Sequence, residues 1–309
     1  KLRERLGYSL FRDMDIVAPR AVHARVYVNG EYHGLFAAVE QVDGRFTANR
    51  YPGLGDGNLY KEIWPNGRAT AHAAEQALRT NEDPGVVDVA DFLAFSDAVA
   101  VSTEDDFATR MASYVDFDDL SRYIVVNRGI NDYDGIMAFY DDYSGPYNHN
   151  YCWYHEEASG RFTLIPWDLD KILWYPEPNF WSENASHGPH VVPNWNVITD
   201  SCEGYTCSFD AMGFSYRMQP IDCDPFLRML RSEIYDGQQA IAEDFIAGPF
   251  SEASVRAKTD AWTVQIRGAI NEDPKVDLAH WESSVDELLG ALPRFHDNLR
   301  SMMSGLIPE

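Results

Sequence analysis

Apolar residues at Leu2, Leu6, Tyr8, Leu10 and Phe11 recur near the helical period and predict a helix over residues 1–15, finished before Pro19. A hairpin comes next. Residues 24–28 and 35–39 predict its two arms, turned at Asn29-Gly30. A glycine-rich loop at 52–58 leads into a short strand, Leu59-Tyr60-Lys61. Helical patterns follow at 70–80 and 86–100, with a break at 81–85. Asp116 or Asp118 is placed to cap a helix running to Arg128. Then come an acidic turn at 131–135, an Asn-flanked aromatic strand at 148–154 and an apolar strand from Phe162 to Trp167. Residues 174–215, rich in Pro, Asn, Gly, Ser and Trp, read as a long irregular insertion. The remainder carries helical patterns at 225–246, 251–270 and 283–304. In the last of these, Val285, Leu288, Leu292, Phe295 and Leu299 share one apolar face, which Pro293 is expected to kink.

Strands first and helices later predict an α+β fold, with a small strand-rich N-terminal lobe over residues 1–82 and a larger, mainly helical C-terminal lobe over 83–309. No internal repeat interrupts that layout. At 309 residues, 45% hydrophobic and 24% charged, the chain has a globular composition. Its formal net charge of −24 repels phosphate backbones, so nucleic acid is not expected as a partner. No apolar run is long enough to predict a membrane span. The opening Lys1-Leu2-Arg3-Glu4-Arg5 has no signal-peptide pattern and reads as the start of an excised domain.

Three of the four cysteines, Cys202, Cys207 and Cys223, fall in one loop-rich stretch, and Cys152 stands apart. Their spacing lacks the paired signature of a zinc site. A disulfide within the cluster is expected, which places the protein in an oxidising setting; buried thiols are the alternative.

Residues 131–170 concentrate the chemistry. Asp134 sits in a Tyr-Asp-Gly turn after a helix, where a carboxylate can accept or orient a hydroxyl proton; Asp132 is its competitor. Asn150 offers an amide oxygen to a hard cation. Asp168 and Asp170 end an apolar strand and point the same way if the strand continues. Kinases carry a catalytic Asp, a metal-binding Asn and a metal-binding Asp in this chain order, and the intervening hairpin can bring the three together. Lys61 is one of five lysines against twenty arginines. Its place after a glycine-rich loop and a short strand suits a compact ammonium meeting a phosphate. Glu75, Glu62 and Glu40 are its candidate ion-pair partners. Motifs of P-loop NTPases, serine hydrolases and zinc proteases do not occur.

Several blocks in order resemble the CotH family, the spore-coat-type kinases with an atypical protein-kinase fold. They are Leu2 to Asp13, the hairpin Tyr27 to Gly34, Val39-Glu40-Gln41-Val42-Asp43, Gly57-Asn58-Leu59-Tyr60-Lys61, Tyr133-Asp134-Gly135, Asn148-His149-Asn150-Tyr151 and Ile165-Pro166-Trp167-Asp168-Leu169-Asp170. The resemblance is close over about residues 1–175 and loose beyond. It implies Asp134 as the catalytic residue, Lys61 and Glu75 at the nucleotide, and Asn150, Asp168 and Asp170 at the metal. It further implies ATP with Mg²⁺ or Mn²⁺, Ser or Thr of a secreted or surface protein as acceptor, an extracellular or cell-surface location, and a small lobe truncated at its start. A non-catalytic kinase-like module for adhesion or coat assembly is the alternative. Residues 137–147 lengthen the gap after the catalytic turn relative to the family, which keeps Asp132 as the competing assignment.

Overall fold

The computed structural model describes residues 2–80, 85–142, 145–173, 195–199, 202, 207–211 and 214–308. Helix α1 (Leu2–Asp13) buries the predicted face, Leu2, Leu6, Tyr8, Leu10 and Phe11. Strands β1 (Ala21–Val28) and β2 (Glu31–Val39) form the hairpin. Asn29 and Gly30 take φ values of 53° and 87°, the left-handed pair that a two-residue turn demands. Helix α2 (Gly44–Arg50) starts at Asp43, whose carboxylate accepts the amides of Arg45 and Phe46.

Next come β3 (Leu59–Lys61), α3 (Ala71–Ala77) and β4 (Leu78–Thr80). The helix expected over 70–80 therefore stops three residues early. Leu78 and Thr80 pair with Tyr60 and Leu59, so ladder hydrogen bonds override local helical spacing. Helices α4 (Ala90–Val101), α5 (Phe107–Met111) and α6 (Phe117–Gly129) follow. Of the two candidate caps for α6, Asp116 does the capping. Then come β5 (Phe139–Asp142), β6 (Gly145–Tyr147), β7 (Tyr151–Glu156) and β8 (Arg161–Pro166), a 3-10 turn at Leu169–Lys171, β9 (Val197–Ile198), β10 (Cys207–Ala211) and β11 (Phe214–Gln219). The chain ends in α7 (Pro225–Ala247), α8 (Glu252–Asn271), α9 (Leu278–Gly290), α10 (Leu292–Met303) and β12 (Ile307–Pro308). This mixture of helix and strand is compatible with α+β.

Two expectations are corrected here. The stretch read as irregular holds an antiparallel hairpin, β10–β11, among its described residues; residues 174–194 lie outside them. Pro293 does not kink a long helix. It sits in the first turn of α10, where a missing amide costs nothing, and α9 ends separately at Gly290.

Two four-stranded sheets stand among the described residues, ordered β4-β3-β7-β8 and β10-β11-β5-β6. The first joins strands from before residue 82 to strands from well after it. Behind it lies an aromatic core: Trp64, Phe95, Trp153 and Phe226 meet with ring centroids 5.6–6.2 Å apart. Burial of each such ring stabilises the fold by about 1.5–3 kcal/mol. Asp224 caps α7 from inside this core and accepts from Trp64 Nε1 at 3.1 Å. Helix α1 packs against the 3-10 turn, the β1–β2 hairpin, α6 and α8. A disulfide joins Cys202 to Cys223, as expected of the cysteine cluster; Cys152 is a buried free thiol, and the side chain of Cys207 lies outside the described residues. Among the described residues no helix is long and apolar enough to cross a membrane.

Candidate functional site

Three strands of the first sheet end together. Lys61 is paired with Cys152, and Tyr151 with Pro166. Just past those pairs the Glu62 amide donates to the Tyr151 carbonyl, and the Trp167 amide to that of Asn150. Lys61, Glu62, Asn150 and Asp168 are thereby gathered at one edge. Each strand then turns away through a left-handed residue: Glu62 (φ 58°), Asn150 (φ 67°) and Asp168 (φ 48°). Such backbone is uncommon outside glycine, costs about 1–3 kcal/mol per residue, and clusters at functional sites.

This turning corrects the strand-alternation argument for Asp168 and Asp170. The strand stops at Pro166; Asp168 caps the 3-10 turn and Asp170 lies within it. Both carboxylates are exposed. That of Asp168 is held above the usual carboxylate range, by burial first, then by Asp170 and Asp134, against the pull of Lys61 and His149. Glu4, on α1, is raised by burial and by the same two residues, Asp168 and Asp170.

Helix α6 (Phe117–Gly129) leads into the acidic turn at 131–135. At its end Asn127 Nδ2 donates to Asp132 Oδ2 at 2.7 Å, and Arg128 donates to the Asp132 carbonyl and to Asn127 Oδ1. Asp132 is 3% exposed, and burial above all pushes its carboxyl up to about 6. A Cβ at Gly135 would stand 2.2 Å from Asp132 Oδ2, so the turn requires glycine there. Asp132 is therefore enclosed, while Asp134 is partly exposed. Asn150 Nδ2 donates to the Asp134 carbonyl at 2.8 Å and approaches its carboxylate at 3.4 Å, which joins the turn to the sheet edge. The neighbouring Asn148 is buried and braces the loop, donating to the Ile136 carbonyl and accepting from Tyr151.

Two participants escaped the sequence reading. Tyr140 donates to Asp134 Oδ1 at 2.6 Å, and His149 Nε2 stands 3.2 Å from the same oxygen. Burial alone would raise the Asp134 carboxyl, but His149 and Tyr140 outweigh it and hold it below the usual range. Of the candidate partners of Lys61, Glu62 pairs with it at 3.6 Å, while Lys61 also lies 5.7 Å from the Trp167 ring. Glu40 instead binds Arg20 and Arg50, and Glu75 sits on the exposed side of α3. The His149 signal lay in the Asn-His-Asn block; nothing local marked Tyr140.

Among the described residues, no three His, Cys, Asp or Glu side chains form a ready-made metal cage. The donors near the sheet edge, two carboxylates and an amide oxygen, suit a hard cation that completes its shell with phosphate or water. Repulsion from Asp170 and Asp134, which adds to burial in raising Asp168, is a charge imbalance that a bound cation would relieve.

The family model described as CotH kinase protein matches residues 1–302, so the likeness runs through the helical part as well. The Inner spore coat protein H of Bacillus subtilis (strain 168) is 24% identical over 177 residues, covering 55% of this chain and 45% of that protein. The matched part thus spans less than half of the relative's length.

Proposed function

The chain belongs to the CotH family, and from that premise we propose that it is an atypical protein kinase that moves the γ-phosphoryl group of ATP to Ser or Thr of a coat-type or surface protein. The observation that carries the reading is the gathering of Lys61, Asn150 and Asp168 at one sheet edge, with Asn150 bonded to Asp134. Asp134 is the residue that orients the acceptor hydroxyl. Its lowered carboxyl makes it a weak base, which suits a loose transition state in which positioning matters more than proton removal. Lys61 meets the nucleotide phosphates, with Glu62 as its partner. Glu75 is a further candidate at the nucleotide. Asn150, Asp168 and Asp170 hold Mg²⁺ or Mn²⁺, which when bound neutralises phosphate charge. In lobe terms, residues 1–82 form the small lobe and 83–309 the large one, bridged by the pairing of β3 with β7. The name of the relative supports a coat or surface location.

Incubation with γ-labelled ATP, a Ser/Thr-rich acceptor and each divalent metal tests the proposal, with Asp168→Ala as control. Metal-dependent label transfer that the variant loses is expected. Unchanged ATP affinity by calorimetry, with or without Mn²⁺ and with or without Asp168, overturns the metal site and leaves a non-catalytic module.

A further inference from the structure

The contacts that hold Asp134 run outward into the second sheet. Tyr140 lies on β5, a strand of four residues whose neighbour β6 has three. Two strands this short are marginal by themselves, and a third is needed for stability. That third strand is β11, in the register Phe139↔Gln219 and Tyr140↔Met218. β11 is one arm of the β10–β11 hairpin, and the Cys202–Cys223 bond closes the segment containing it. Cys223 leads at once into Asp224, the buried cap of α7. The strand presenting Tyr140 is thus paired with a hairpin that lies inside a disulfide-closed segment of the chain.

Tyr140 and His149 both address Oδ1 of Asp134. Oδ2 is left toward Asn150 and the sheet edge. A carboxylate pinned at one oxygen presents the other in a fixed direction, and small misplacements of such a group are costly to catalysis.

We infer that Tyr140 is a positioning residue for Asp134 and that the hairpin inside the disulfide-closed segment keeps the strand bearing it in register. The effect on turnover rests on the kinase reading; the structural part does not.

Hydrogen exchange separates the two. Dithiothreitol, which supplies the two electrons and two protons that convert the bond to two thiols, should speed exchange of amides 139–142 about tenfold. A Cys202→Ser/Cys223→Ser chain should behave alike, with α6 and α7 still protected. No acceleration at 139–142, or equal acceleration in α6 and α7, overturns the role of the disulfide. Tyr140→Phe, which removes one hydroxyl, should loosen amides 134–135; unchanged protection there overturns its positioning role. In the transfer assay Tyr140→Phe should lower kcat roughly 10- to 100-fold with the KM for ATP nearly unchanged. Reduction should cost the unmodified chain turnover and cost Tyr140→Phe nothing further; additive losses overturn the link between them. If the unmodified chain transfers no phosphate, the kinase reading fails and the exchange results alone decide the inference.

Discussion

The sheet formed by β3, β7 and β8 has a polar cluster at each end, and the two are built differently. At the end away from the candidate site, Asp91 Oδ1 accepts from Tyr60 at 2.5 Å and Oδ2 from Asn58 at 3.1 Å, with His155 Nδ1 3.0 Å from Oδ2 as well. Burial would raise this carboxyl, but His155, Tyr60 and Asn58 together hold it below the usual range. The cluster is closed on itself. At the other end Asp168, Asp170 and Glu4 raise or face one another, and Asp168 is pushed up rather than down. A closed polar cluster spends its hydrogen bonds on the fold. An open one keeps unrelieved charge for something that arrives from outside.

The sharpest test of that contrast lies in Asp134 and Asp91. Under the proposed function, in which Asp134 acts on the acceptor, Asp134→Ala should lower phosphoryl transfer at least about 100-fold while ATP affinity stays within about threefold. If Asp132→Ala is the inactive variant that still folds, and Asp134→Ala is active, the two Asp assignments exchange places. Asp91→Ala should do the reverse. It leaves Asn58, Tyr60 and His155 without their shared acceptor and should destabilise the protein by about 1–3 kcal/mol in denaturant titration. Its ATP affinity should be unchanged.

A smaller effect concerns pH and has opposite signs at the two ends. The folded-state carboxyl of Asp91 is lowered, so its stabilisation is present above the ordinary carboxylate range and lost as pH falls through the folded value. Asp91→Asn should therefore be less stable than the unmodified chain at pH 7 and converge with it in acid. The carboxyl of Asp168 is raised, so the folded state binds that proton more tightly and ionisation opposes folding. Asp168→Asn should be slightly more stable at pH 7 and converge in acid. Melting temperatures at pH 7 and in acid read both differences; the same sign at both ends would erase the contrast.

Smallest is Asp224→Asn. Burial pushes the Asp224 carboxyl up to about 6, so its ionisation opposes folding above that pH. An asparagine still caps α7. The variant should lose part of the fall in stability as pH rises from the ordinary carboxylate range to about 6, seen in melting temperature.

Much of this was legible from local pattern. The α1 face, the Asn29-Gly30 turn and the Asp116 cap each depend on residues a few positions apart. The order of Asp134, Asn150 and Asp168 was legible too, because the β7–β8 hairpin joining the last two is itself local. What escaped depended on distant partners. Leu78 looks helical until β3 supplies a ladder. Tyr140 has no meaning until the turn folds back to it. The β10–β11 hairpin had a signal that was overlooked. In the sequence, Phe209 and Ala211, then Phe214, Tyr216 and Met218, alternate on either side of Met212-Gly213.

Gly7 carries one more consequence. A Cβ there would lie 2.4 Å from Ile172 Cδ1 and 3.1 Å from Leu169 Cδ1. Helix α1 therefore meets the buried side chains of the 3-10 turn with no clearance, and the same helix packs against the β1–β2 hairpin. In mechanical terms α1 is a shim seated directly on the loop that carries Asp168. A thicker residue at position 7 would have to displace Ile172 or lift the helix off that loop.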